Sequence, residues 1–361
     1  MTNRRSFLKK VAVAGMVSTI PSALISNQSI KPTTKKPNDF IWANLLHLSY
    51  NMWEDVVPEQ YQIPYEQSNS TCNEARMWSH KYRPELTFDE PAWNQLLKDM
   101  VDAGMNMVII DLGDGVIYDS HPEIAVKNAW TPYKLRKELA KMREMGLEPI
   151  PKLNFATTHG AWMGEYARMV STQKYYSFCR NLIEEVTELF DNPRFFHLGM
   201  DEETAKNQTS LHYAVMRQHD LWWHDLQYLV DEVEKKGVRS WIWSDLAWSN
   251  PEQFLKKMPK SVLQSNWYYR DGFDLDKLTG ESKAAVQLYH DLESHGFDQV
   301  PTGSNHYNNT NMESTVEYCK EIIDPKRLLG FMTAPWRPTL SPCLERHQEA
   351  IRQLNRAIKK F

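Results

Sequence analysis

The chain has 361 residues, of which 42% are hydrophobic, with 42 basic against 46 acidic side chains. That length admits one large α/β domain, and the apolar share is too high for a disordered chain. The formal charge of −4 comes without a basic stripe, which argues against nucleic acid as a partner.

The first element is a targeting segment, residues 1–30. "NRRSFLKK" supplies Arg4, Arg5, Lys9 and Lys10, and the apolar run "VAVAGMVSTIPSALI" follows. A basic stretch, a short apolar stretch and small residues after it make an export signal, too short for a confident membrane span. The Arg-Arg pair ahead of Ser-Phe-Leu-Lys is similar to a twin-arginine signal, and an ordinary secretory route is also compatible. Cleavage within residues 22–30 would remove four positive charges and leave −8. The expectation is an exported protein, periplasmic or extracellular in a bacterium, with no transmembrane span in the mature chain. Residues 31–39, "KPTTKKPND", read as a polar linker.

From residue 40 to 361 apolar runs of strand length alternate with helical patterns. The strands are "IWANLLHLSY", "NMVIIDLGD", "EPIPKLNF", "RFFHLGMD", "RSWIWSDL", "VLQSNWYY", "QVPTGSN" and "LLGFMTAPW". The helices run from "PAWNQLLKDMVDAG" to "CLERHQEAIRQLNRAIKK". Thr131-Pro132 and Asn250-Pro251 read as N-cap plus first-turn proline. Gly104, Gly146, Gly237 and Gly296 sit where helices should stop. Eight such pairs predict a single (β/α)8 barrel. A doubly wound open sheet is the alternative, and no glycine-rich dinucleotide turn follows the first strand to support it. Residues 51–88, between the first strand and its helix, form the longest insertion and are expected to cover the barrel mouth. Four cysteines, Cys72, Cys179, Cys319 and Cys343, lack C-x-x-C spacing. A zinc ribbon or redox motif is therefore excluded, and no disulfide pairing can be read.

Barrel enzymes place their chemistry at the C-terminal ends of the strands. In chain order those ends offer His47, Tyr50 and Asn51; Asp111 and Asp114; Asn154 and His159; and Asp201, Glu202 and Glu203. Then come Trp243 and Asp245; Asn266, Trp267 and Tyr268; Asn305, His306 and Tyr307; and Trp336 with Arg337. A barrel with a purely structural role has no need of so many polar and aromatic groups at one end. The acidic run is the sharpest feature. Neighbouring residues of a strand point to opposite faces, so Asp201 and Glu202 can share a site only where the strand is ending and the chain turns. Glu203 reads as a cap for the following helix.

"His197-Leu198-Gly199-Met200-Asp201-Glu202" resembles the His-x-Gly-Gly-Asp-Glu motif of family 20 glycoside hydrolases, the β-N-acetylhexosaminidases. "GLEPIPKLNFATTHG" is similar to the family's third strand, "SWIWSDLAW" to its fifth, and "VLQSNWYY" and "TAPW" stand where the family keeps two further pocket tryptophans. The resemblance implies a substrate-assisted retaining mechanism, in which the 2-acetamido oxygen of the sugar is the nucleophile. That scheme is one of the exceptions to two-carboxylate catalysis. It implies Glu202 as general acid and base, and Asp201 as the carboxylate that orients the acetamide and stabilises the cationic intermediate. Trp243, Trp267 and Trp336 would wall the pocket, with Tyr307 donating to the acetamide and His197 orienting. Asp111, Asn51 and Asp245 complete the candidate substrate contacts. No metal or other cofactor is implied, and the expected partner is a carbohydrate.

The departures from the family are specific. Its first strand ends in an arginine that reads the sugar hydroxyls, and "LLHLSYNMWED" has none there. "DLGDG" replaces a His-x-x-Asp pattern, Tyr307-Asn308-Asn309 replaces Tyr-x-Asp, and Met200 replaces a glycine, which is expected to narrow the pocket. The family also usually carries an extra α/β domain ahead of the barrel, for which these residues leave no room. Three rival readings stay open. One is a glycosidase with two separated carboxylates, Glu202 facing Asp245 or Asp111. Another is a metal-dependent hydrolase or isomerase using His47, Asp111, His159 and Asp201. The third is a carbohydrate-binding barrel without turnover.

Overall fold

The computed structural model describes residues 40–55 and 71–361. The export segment, the linker and residues 56–70 lie outside the described residues. All eight expected strands form: β1 (Ile41–His47), β2 (Met107–Asp111), β3 (Glu148–Lys152), β4 (Phe195–His197), β5 (Arg239–Trp243), β6 (Leu263–Ser265), β7 (Thr302–Gly303) and β8 (Gly330–Thr333). They pair in parallel in the order β6-β5-β4-β3-β2-β1-β8-β7. The remaining seam, β6 to β7, is closed by backbone bonds from Val300 to Gln264 and from Thr302 to Asn266, both 2.9 Å. The result is the (β/α)8 barrel that the alternation of elements predicts.

The helices are α1 (Thr71–Ser79), α2 (Glu90–Asp102), α3 (Pro132–Glu144), α4 (Gln173–Leu189), α5 (Asp220–Glu234), α6 (Leu246–Ser249), α7 (Pro251–Lys257), α8 (Gly280–Ser294), α9 (Asn311–Ile322) and α10 (Leu344–Lys360). The Thr131 hydroxyl caps α3 by accepting from Lys134 N at 3.2 Å. Asn250 precedes α7 without capping it through its side chain. Gly104, Gly146, Gly237 and Gly296 all take φ between +73° and +84° just past a helix end, the left-handed conformation that costs glycine least. Among the described residues no helix is long and apolar enough to cross a membrane. Cys179, Cys319 and Cys343 are buried free thiols.

The period of two along each strand divides the core in two. Ile41, Ala43, Leu45, Met107, Ile109, Ile150, Phe195, Trp241, Leu263 and Met332 fill the barrel interior. Trp42, Leu46, Val108, Ile110, Phe196 and Ile242 face the helices. By the same parity His47, Asp111, Lys152, His197 and Trp243 form the last inward layer before the strands end, and all five are buried. Lys152 Nζ is paired with the Asp111 carboxylate across the β2–β3 register, and His47 Nε2 lies 3.7 Å from the same carboxylate.

Candidate active site

β4 stops at His197, and the chain then turns hard. Gly199, Met200 and Glu202 have φ of +72°, +75° and +56°. At Gly199 a Cβ would stand 2.0 Å from Asn154 Oδ1, so only glycine allows this approach. Asn154, just beyond β3, ties the turn together. Its Oδ1 accepts from Met200 N at 3.2 Å and from Ala156 N at 3.0 Å, while its Nδ2 donates to Asp201 Oδ1 at 2.8 Å. Glu202 is held in its left-handed conformation from both sides. Its N–H donates to Asp245 Oδ2 at 2.8 Å, and its carbonyl accepts from Thr158 Oγ1 at 2.7 Å and Asn207 Nδ2 at 3.1 Å. A strained non-glycine residue persists where its surroundings over-determine it, and here the turn sends two consecutive carboxyls into one space.

That space is a cavity of about 380 Å³ at the C-terminal ends of the strands. Asp201 and Glu202 line it together with Tyr50, Asn154, His159, Trp267, Tyr269 and Trp336; Met52, Trp53, Arg76 and His80 close it from the insertion. The insertion therefore covers the mouth as expected, and it does so partly through α1, a helix whose short pattern is not evident in the sequence.

His159 organises the acids. Its Nε2 lies 3.3 Å from Asp201 Oδ2 and 3.3 Å from Glu202 Oε2. Burial disfavours charging this ring, but the Asp201 carboxylate and then Glu202 outweigh it and carry the imidazole up to about 10. Burial likewise pulls Asp201 upward, and the imidazolium, Lys152 and Asn154 overcome it and hold the carboxyl at about 2. At neutral pH Asp201 is therefore an anion beside a cation. The Glu202 carboxyl is 31% exposed, against 7% for Asp201, and so reaches further into the open cavity. One ligand atom from each of His159, Asp201 and Glu202 lies within 4.8 Å of the others, close enough to share a cation; the imidazolium already places positive charge there. His47 and Asp111, the other members of the metal reading, belong to the barrel interior.

The structure separates the remaining sequence candidates. Trp267 and Trp336 line the cavity, as does Tyr307, whose ring is 43% exposed under the Arg270 guanidinium. Trp243 does not line it: inward parity puts the ring in the barrel interior, 5.9 Å from the Trp336 ring. His197 is inward for the same reason, 4.7 Å from Trp243, with Nδ1 accepting from Gly199 N. Asp111 is taken by Lys152. Asn51 is buried, donating to Asp114 Oδ2 and to Arg83 O, and so fastens the insertion to the loop after β2. Asp245 lies behind Glu202, where burial and then the Asp201 charge push its carboxyl well above the usual range. Two further expectations are corrected. Glu203 caps no helix; its side chain is buried, accepts from Thr157 N at 2.8 Å and pairs with Arg217 at 3.3 Å. Met200 does not narrow the cavity, because its side chain points into the apolar layer between barrel and helices.

Sequence reasoning missed Tyr269, which stacks on Trp267 at 4.9 Å and whose buried hydroxyl lies within electrostatic reach of Glu202, Asp201 and Asp245. Its signal was the aromatic run Trp267-Tyr268-Tyr269 at a strand end. His159 was on view at the end of β3, but its contact with both acids depends on the turn at Gly199.

A (β/α)8 barrel with paired carboxyls at the end of β4 is the architecture of a glycoside hydrolase catalytic domain. The description "Glycosyl hydrolase family 20, catalytic domain" matches residues 131–337, and the chain belongs to that family. Solved structures show the same fold. A β-N-acetylhexosaminidase from Bacteroides fragilis aligns with TM-score 0.56 and 12% identity over 87% of this chain and 65% of that one. A family 20 β-N-acetylhexosaminidase from Streptomyces coelicolor A3(2) gives 0.55 and 13% over 87% and 64%. A Flavobacterium johnsoniae chitobiase gives 0.53 and 16% over 75% and 49%. The chain thus spans less than two thirds of the length of each. No curated protein matches it.

Proposed function

We propose that the chain is an exported glycoside hydrolase of the β-N-acetylhexosaminidase type, acting by substrate assistance with retention. The observation that carries this reading is the cavity's acid inventory. Among the described residues its only carboxyl side chains are Asp201 and Glu202, and they are adjacent. A two-carboxylate glycosidase needs its second acid across the substrate, about 5–5.5 Å away for retention or about 6.5–9.5 Å for inversion. Asp245 and Asp111, the candidates for that role, are withdrawn behind the site or into the barrel. The nucleophile is then left to the substrate.

In this mechanism the acetamide oxygen attacks the anomeric carbon while Glu202 protonates the departing glycosidic oxygen. Asp201, kept ionised by His159, accepts the acetamide N–H and faces the positive charge that develops on the ring formed. Glu202, now a carboxylate, removes a proton from the water that opens that ring. Trp267, Trp336 and Tyr269 offer apolar faces to the sugar and the acetamide methyl. The fold neighbours, hexosaminidases and a chitobiase by name, point toward the same substrate class.

The test is a set of 4-nitrophenyl glycosides with and without a 2-acetamido group. Turnover should require the acetamide, and a thiazoline mimic of the cyclised intermediate should inhibit more tightly than substrate binds. Glu202→Gln should lose at least about 10² in kcat on poor leaving groups, since placed proton transfer contributes about 10²–10⁴. Asp201→Asn should slow good and poor leaving groups alike. Equal turnover by Glu202→Gln and wild type on every active substrate would remove the assignment. Export is checked separately, by locating the processed chain in cell fractions.

A further inference from the structure

We propose that this cavity selects glycans bearing an anionic substituent, a sulfate ester or a uronate carboxylate, which Arg76 and Lys206 hold. The proposal rests on the glycosidase reading and names its substrate class. Both side chains line the cavity, and neither has an ion-pair or hydrogen-bond partner among the described residues. Nearby cations are used differently. Arg83 donates to the Lys81 and Trp78 carbonyls, and Arg337 pairs with Glu74 at 3.2 Å. Two acids of the insertion are engaged as well: Glu74 by Arg337, and Asp55 by Arg168 at 3.5 Å and His212 at 3.1 Å. At the floor the His159 imidazolium sits against both acids, 3.3 Å from Asp201 and 3.3 Å from Glu202. Among the described residues, an acidic chain, −4 overall, thus sets Arg76 and Lys206 as unpaired cations in its own cavity lining.

An isolated surface lysine or arginine is ordinarily just solvated. Two features set this pair apart. Arg76 acts on two other lining side chains, His80 and His306. Burial first, and then cations including Arg76, hold both imidazoles at about 4, so at neutral pH they add no charge of their own to the cavity. Lys206 belongs to the segment that folds back on the acid, next to Asn207, whose Nδ2 donates to the Glu202 carbonyl at 3.1 Å. Arg76 comes from α1, in the insertion that covers the cavity. Charge-assisted bonds to sulfate or carboxylate oxygens are about twice as strong as neutral ones, and a guanidinium can grip two oxygens at once.

Calorimetric titration of the full chain carrying Glu202→Gln measures binding without turnover. The probes are N-acetylglucosamine, its 6-sulfate ester, and a glucuronate-containing disaccharide of N-acetylglucosamine. At low salt at least one anionic probe should bind about tenfold or more tighter than the neutral sugar, and added salt should shrink the advantage. Adding Arg76→Gln and Lys206→Gln should bring the anionic-to-neutral ratio close to one. Whether sulfate or uronate gains identifies the source of the anion. Equal affinity for all three probes, no binding of any of them, or a ratio that survives the double substitution overturns the proposal. The hydrolase reading is judged apart, by wild-type turnover of neutral 4-nitrophenyl N-acetylglucosaminide. Turnover there with no anionic preference in the titration leaves that reading standing while this one falls.

Discussion

Asp201 and His159 show how a buried acid is kept charged, and the linkage gives them a pH window. His159 is raised from 6.5 to about 10, so its stabilising share is complete below about 6.5 and is lost as pH rises through about 10. Asp201 is lowered from 3.8 to about 2, so its share is complete above about 3.8 and is lost as pH falls through about 2. The melting-temperature gap between wild type and His159→Gln should accordingly be widest between about pH 4 and 6.5 and narrow toward pH 10. A gap that widens with rising pH would mean that the ring is neutral in the fold. Gly199 is constrained by space rather than charge. Gly199→Ala would drive a methyl into Asn154, at 2.0 Å from Oδ1 and 2.8 Å from Cα, on a backbone with φ +72°. We expect a loss of more than about 2 kcal/mol in chemical denaturation, because neither the strained φ nor a backbone contact can relax locally. Met200 makes an instructive contrast, since it holds φ +75° with a buried side chain packed outside the barrel.

The elements were legible where their signals are local. Strand runs, helix periods and the stop glycines each depend on a few neighbouring residues, and all eight strands formed where the apolar runs placed them. Caps show the limit of such reading. Thr131-Pro132 and Asn250-Pro251 look alike in sequence, yet only Thr131 accepts a bond from its helix. Thr131→Ala should therefore cost about 1 kcal/mol. Asn250→Ala should cost clearly less, and equal losses in parallel denaturation curves would show that the side-chain bond is not what stabilises α3. Glu203 was misread for a related reason. An acid after a strand resembles a cap, but the next long helix, α5, begins only at Asp220, and the intervening segment folds Arg217 back onto Glu203. α1 was not legible because at nine residues it is too short for a helical period to stand out from the loop around it.

At the scale of the whole barrel, the sequence told which residues stand near strand ends but not which way they face. Asp111, His197 and Trp243 all qualified by position, and parity turned all three inward, whereas Trp267 and Trp336 lie past the last strand residue and reach the cavity. Parity becomes readable only once the register is known, because a shift of one residue exchanges the two faces. The inward layer also holds two buried charges. Asp111 and Lys152 meet as a pair, with side chains 6% and 0% exposed. Burial pushes the Asp111 carboxyl up and Lys152 draws it back, so the layer is balanced only while both partners are present. Removing one partner of such a pair typically costs about 3–5 kcal/mol, because the other is left as an uncompensated buried charge. Asp111→Asn and Lys152→Met should each lower the denaturation free energy by that order. Replacing both by apolar groups, Asp111→Leu with Lys152→Met, removes the charges together and should recover most of the loss, since buried pairs are often neutral against a well-packed apolar substitute. A double variant as unstable as the weaker single one would mean that the barrel depends on the shape of these side chains and not on their pairing.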